Sequence, residues 1–213
     1  MALSKVNFNS INATPTASKF VTFNSDADGL AAGDVGGALT LISTQTASSS
    51  SSLSFTSEID STYKEYVFKI INVHPSAGTS ATFQVGFRDG STAFDAPKTS
   101  TNFEAYHSES DDTAFQYLGD DDQANATGYQ ILALQSGSSA DDSLSGELKL
   151  FDPSSTTFVK HFMARTNHIA DFDYTFDNYV AGYCNVTTAI DGVDFKMSSG
   201  NIDSGVIKLY GVS

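Results

Sequence analysis

The sequence predicts an all-β protein, an antiparallel β-sandwich or barrel, on three observations. Apolar and polar residues alternate along segment after segment, the period-2 signature of half-buried strands. Apolar residues at helical spacing are nowhere sustained over three turns. Turn-forming clusters recur roughly every 8–15 residues, and Pro15, Pro75, Pro97 and Pro153 all fall outside strand centres, as ladder hydrogen bonding requires. About ten strands are expected on this spacing, and no βαβ unit.

In chain order, residues 1–37 come first, rich in Asn, Ser, Thr, Ala and Gly, with Val6, Phe8, Phe20, Val21 and Phe23 scattered among them. This is too polar for a core of its own and too apolar for a free tail. The segment therefore reads as an arm that orders against a neighbour or against the body, with Phe8, Phe20, Val21 and Phe23 as candidate anchoring residues. Residues 38–213 form the body. Residues 39–42 and 53–55 read as short strands joined through the serine tract 48–52. Residues 66–73 are apolar on both faces apart from Lys69 and Asn72, which reads as a central strand covered twice or meeting a second subunit. Phe83, Val85 and Phe87 alternate with polar residues or Gly, and Leu144, Leu148 and Leu150 share the even face of their segment. Residues 158–165 carry apolar groups on both faces. Phe172, Tyr174, Phe176 and Val180 alternate against Asp171, Asp173, Thr175 and Asp177, and Val193, Phe195 and Met197 against Asp194 and Lys196. The segment 200–213 sets glycine-marked turns around an apolar run that needs a partner inside a sheet.

Eleven Lys and Arg stand against 25 Asp and Glu, a net charge of −14. That balance disfavours phosphate backbones and anionic membrane surfaces and favours solubility. No segment approaches the ~18 apolar residues of a membrane span, and the first residues lack the apolar core of a signal peptide. Neither nucleic acid nor membrane insertion is expected. Cys184 is the one cysteine, so no intramolecular disulfide forms and the residue reads as a small packed hydrophobe.

The chemistry-bearing residues form no catalytic pattern. His74, His107, His161 and His168 have neither HxH nor HExxH spacing. The loops 26–29 and 119–125 supply part of a Ca²⁺ shell, but both miss the EF-hand spacing and its downstream Glu, so no cofactor is expected. Asp171, Asp173 and Asp177 on one strand face read as an exposed row or one that meets a cation or basic partner. No GxSxG elbow, P-loop or dinucleotide fingerprint occurs, and the expectation is a protein that is not an enzyme. Tyr63, Tyr106, Tyr117, Tyr179 and Tyr183, near strand ends or on wet faces, are candidate surface contacts, because tyrosine offers flat area with a hydrogen-bonding tip to sugar rings or protein interfaces.

Residues 41–47 (LISTQTA), 53–56 (LSFT), 59–75 (IDSTYKEYVFKIINVHP) and 199–212 (SGNIDSGVIKLYGV) resemble a group of virion structural proteins of tailed bacteriophages, of tail-fibre and capsid-decoration type, many from phages of marine bacteria and cyanobacteria. The resemblance covers both ends of the body and rests on strands and turns. It implies a jelly-roll-like antiparallel β-sandwich behind an extended N-terminal arm, assembled as a homotrimer. It also implies a virion surface appendage, folded in the host cytoplasm and joined to other virion proteins through the arm. The alternative expectation is a carbohydrate-binding receptor-recognition module meeting a host surface glycan. A host-polysaccharide-degrading enzyme is the third.

Overall fold

The structure, a computed structural model, describes residues 38–77, 81–170 and 173–212, together with the strand backbone at 20–23 and 30–33. The chain divides into two units, Met1–Ala38 and Leu39–Ser213. In the first, β1 (Phe20–Phe23) and β2 (Leu30–Gly33) pair as an antiparallel hairpin with Phe20 opposite Gly33 and Phe23 opposite Leu30. Phe20, Val21 and Phe23 thus stand on β1. Phe8 and the acidic loop 26–29 lie outside the described residues.

The second unit contains twelve described strands: β3 (Leu39–Thr46), β4 (Leu53–Phe55), β5 (Glu65–Pro75), β6 (Phe83–Arg88), β7 (Lys98–Ser108), β8 (Thr113–Tyr117), β9 (Gln130–Ala133), β10 (Leu144–Phe151), β11 (Lys160–Ala170), β12 (Tyr174–Cys184), β13 (Gly192–Met197) and β14 (Ile202–Val212). They form an antiparallel sandwich. One sheet has eight strands in the order β3-β14-β5-β10-β11-β12-β7-β8, and the other has four in the order β4-β13-β6-β9.

Eight of these strands make a jelly roll. Taken as a ribbon, β3 pairs with β14, β4 with β13, β5 with β10 and β6 with β9, so first meets last and each inner pair nests within the one before. Folding that ribbon over itself gives the two four-stranded sets β3-β14-β5-β10 and β4-β13-β6-β9, the arrangement of two interlocked Greek keys. The other four strands come from two insertions, β7–β8 between β6 and β9 and β11–β12 between β10 and β13. Both extend the same sheet beyond β10, which doubles its width. The segment 200–213 has the partners it needs, since β14 lies between β3 and β5.

The core lies where the two sheets overlap. Phe55, Phe68, Phe83 and Phe195 are fully buried and touch at ring-centroid distances of 5.2 Å (Phe55–Phe68), 5.3 Å (Phe68–Phe195) and 5.8 Å (Phe83–Phe195). Each fully buried ring is worth about 2–3 kcal/mol of transfer free energy. Phe83, Val85 and Phe87 on β6 and Leu144, Leu148 and Leu150 on β10 face this core, as their alternation predicts.

Other expectations are corrected in part. Among the described residues the body has twelve strands rather than about ten in the whole chain, because β8 and β9 are short and carry little alternation. The segment 158–165 carries apolar groups on both faces, Phe162 and Ala164 buried and Met163 exposed. Its strand starts at Lys160 and alternates strictly in burial, and Phe158 sits exposed in the preceding turn. β5 is central: Tyr66, Phe68 and Ile70 face the core, and the other face carries the buried Val67 and, beside a bulge at Asn72 with φ +48°, the exposed Ile71. Asp194 is not on a wet face: it is buried and accepts hydrogen bonds from Ser54 Oγ (2.5 Å) and Tyr129 Oη (2.9 Å).

Candidate contact surface

The wide sheet presents a continuous outer face, away from the four-stranded sheet. On it, one rung of register partners crosses all eight strands: Thr44, Lys208, Lys69, Glu147, Arg165, Tyr179, Phe103 and Tyr117. At about 4.8 Å per strand spacing, the rung is about 34 Å wide. Its left half is ionic. Lys69 donates to Glu147, and Lys149 stands 3.6 Å from the same carboxylate. These bonds hold the Glu147 carboxyl below the ordinary glutamate range. At the centre, Arg165 grips Asp177 through Nε (2.9 Å) and Nη2 (2.7 Å), a bidentate pair. That hydrogen bonding pulls the Asp177 carboxyl down and pushes the guanidinium up.

The right half is aromatic. The Arg165 guanidinium lies 4.9 Å from the Tyr179 ring centroid, within cation–π range. Tyr179 stacks on Phe103 at 5.0 Å with the planes 6° apart, and Phe103 meets Phe115 at 5.4 Å. Phe115 is 72% exposed, and Met163, one rung away, is 55% exposed. At the far end of the face Leu39 and Leu41 are also exposed. The lysines, arginine and carboxylates of this face are Lys69, Lys149, Arg165 and Lys208 against Glu65, Glu147 and Asp177, with His107 and His161 also on it. The face is therefore nearly neutral in a chain of net charge −14.

The five tyrosines singled out in the sequence separate. Tyr117 and Tyr179 belong to the aromatic rung, and Tyr117 donates to Asp122 at 2.5 Å. Tyr183 is on the same face, edge-on to His161 at 6.1 Å. Tyr106 points to the opposite face, against Tyr174 and Phe176. Tyr63 is structural. It meets Tyr66 edge-on at 5.8 Å and its ring covers Gly211, where a Cβ would come within 2.3 Å of the ring. The acidic row also dissolves: Asp177 is paired with Arg165, Asp173 occupies a turn with φ +62°, and Asp171 lies outside the described residues. In the loop 119–125 the Asp122 carboxylate is taken by Tyr117. Among the described residues no group of three or more His, Cys, Asp or Glu is placed to hold a metal ion.

Sequence reasoning missed Phe103, Phe115, Met163 and Arg165. The reason is visible in β7, where the buried face carries Lys98, Ser100, Asn102 and Glu104 while Phe103 looks outward. Polarity alternates correctly along β7 but with inverted sense. Ser100 Oγ donates to Gln130 Oε1 at 2.5 Å and Lys98 Nζ reaches the Gly128 carbonyl at 2.6 Å, while the Asn102 side-chain amide is buried without a hydrogen-bond partner. Lys160, Cys184 and Lys98 are register neighbours on this buried face, and Lys160 Nζ donates to the Val186 carbonyl at 3.0 Å. Burial lowers both ammonium groups and pushes the Cys184 thiol up to about 12.

No family model and no curated protein matches the chain. Among solved structures it is similar to a Bacteroides ovatus protein of unknown function, at 6% identity and a TM-score of 0.26, over 48% of this chain and 45% of that one. It is also similar to the structure of infectious bursal disease virus Gx strain, at 11% identity and a TM-score of 0.15, over 92% of this chain and 44% of that one. The chain spans less than half the length of either, and likenesses at these scores carry no argument about function.

Proposed function

We propose that the chain is a surface structural protein of a tailed-bacteriophage particle, a tail-fibre tip or capsid decoration. It would act by assembly and contact as a homotrimer, without a catalytic step, after folding in the host cytoplasm. The resemblance of residues 41–75 and 199–212 supports the class. The observation that carries the mode of action is the outer face of the wide sheet. An apolar and aromatic surface with near-balanced charge, on a chain of net charge −14, is where copies approach without like-charge repulsion. The insertions that build β7, β8, β11 and β12 supply most of that face. Residues 1–37 would join the body to other virion proteins.

A second reading, recognition of a host surface glycan, is favoured by the exposed aromatic group of Phe103, Phe115, Tyr117 and Tyr179, since aromatic faces pack against sugar rings. The test compares full-length chain with a variant lacking residues 1–37 during phage production. The shortened protein should stay folded and soluble and be missing from purified particles. Its incorporation at the full-length level refutes the anchoring role. Binding to a glycan array that is lost on Phe115→Ala would move the aromatic group from self-contact to receptor contact.

A further inference from the structure

On the inner side of the insertion strands, beyond the cover of the four-stranded sheet, lies a cleft of about 400 Å³. Its floor includes Glu104 of β7. That carboxylate is 1% exposed, and it accepts one hydrogen bond from Asn178 Nδ2 (2.8 Å) and one from Gln116 Nε2 (2.8 Å). Both donors are neutral amides. Among the described residues no Lys, Arg or His pairs with Glu104. A buried carboxylate is normally matched by a cation, because its desolvation is costly. Here the neighbours add negative charge instead. Asp112 stands at the rim, holding the Tyr174 hydroxyl at 3.1 Å, and the nearby Asp121 carboxyl is pushed up by its own burial and by Asp120, Glu104 and Asp122. The Oδ1 of Asn178, beside the carboxylate, is buried without a partner.

The walls are aromatic. Tyr106 contacts Phe176 at 5.3 Å and Tyr174 at 5.6 Å, and all three line the cleft. Ring faces carry partial negative charge and attract cations, most strongly where water is excluded. We propose that this cleft binds a small organic cation with an ammonium head, with Glu104 as counter-charge and Tyr106, Tyr174 and Phe176 as walls. Anionic ligands are excluded by the carboxylates, and a neutral one leaves Glu104 uncompensated. The volume suits a ligand of sugar size or smaller. The inference does not depend on the virion reading.

The test titrates the full-length chain with choline, tetramethylammonium and glucosamine by calorimetry and by NMR. It sets choline against its neutral isostere 3,3-dimethylbutan-1-ol, and glucosamine against N-acetylglucosamine. The cations should bind with shifts at Tyr106, Tyr174 and Phe176, at least about tenfold more tightly than their neutral counterparts. Glu104→Gln should remove that preference, and the surface variant Glu109→Gln should keep it. Absence of binding by all three cations overturns the proposal, and so does equal binding of cation and neutral isostere. Should Glu104→Gln fail to fold, the comparison of charged and neutral ligands on the unaltered chain decides alone. Tyr106→Leu, expected to weaken the cations at least about fivefold, gives the second variant.

Discussion

His168 is the histidine that the fold withdraws from water: it is 1% exposed and stacks on Phe176 at 5.2 Å. Burial drives its pKa from 6.5 down to about 4, with the Leu134 carbonyl opposing. The unfolded chain therefore binds a proton between about pH 6.5 and 4 that the folded chain refuses. Stability from this site is complete above pH 6.5 and falls as pH drops toward 4, by about 3 kcal/mol for a shift of this size. Urea unfolding of wild type and His168→Phe across this range should show the gap between them move by about that amount. A constant gap would mean that His168 titrates normally. Cys184 gives a second residue-scale prediction. A fully buried thiol with its pKa raised to about 12 has almost no thiolate at neutral pH. A thiol reagent such as DTNB should leave the native chain unmodified for hours and label it within seconds in denaturant, and rapid labelling of the native chain would contradict the packing. The packing of Cys184 was legible in the sequence as that of a lone cysteine. The burial of His168 was not, because only strand register brings its face of β11 under cover.

Whole elements were more legible where one face of the sheet is apolar and the other polar. β6 and β10 could be traced by alternation alone, and so could the closing segment with its glycines. At Gly205 the φ is +123° and a Cβ would meet Val73 Cα at 2.7 Å, where β14 bulges past β5. Gly205→Val should cost at least about 2–3 kcal/mol of stability, from strain and overpacking together. A loss under about 0.5 kcal/mol, the scale of an ordinary surface change, would show that the bulge is not required. β7 was illegible for the opposite reason: its buried face is polar and its exposed face carries Phe103. A reading by hydrophobicity assigns its inside and outside backwards, and the contact face goes unnoticed. That face has its own test at this scale. Phe115→Lys with Met163→Lys adds two charges to exposed positions of the wide sheet without touching the core. The variant should fold with unchanged thermal stability and run as a single chain of 22.6 kDa in light scattering, where the proposal expects the unaltered protein to run as a trimer. A variant that keeps the trimer would remove the outer face from the interface.

For the molecule as a whole, the jelly roll explains how so wide a sheet is built on a small body. Eight strands in nested pairs close the sandwich, and two hairpin-like insertions add four more strands to one sheet without disturbing the ribbon. The resulting outer face, about 34 Å across, has charge paired within it and aromatic rings at its edge. The fold class followed from period, turn spacing and proline placement. The surface did not, because it depends on which strands become neighbours across long gaps in sequence, as where Val212 of β14 pairs with Leu39 of β3. The central claim is that this face is a contact face within a phage particle, and the most direct measurement is cryo-electron microscopy of purified particles. The account predicts jelly-roll density on the particle surface, in groups of three, with Phe115 and Met163 buried between copies. Particles without that density, or with Phe115 and Met163 facing open solvent on every copy, would contradict it.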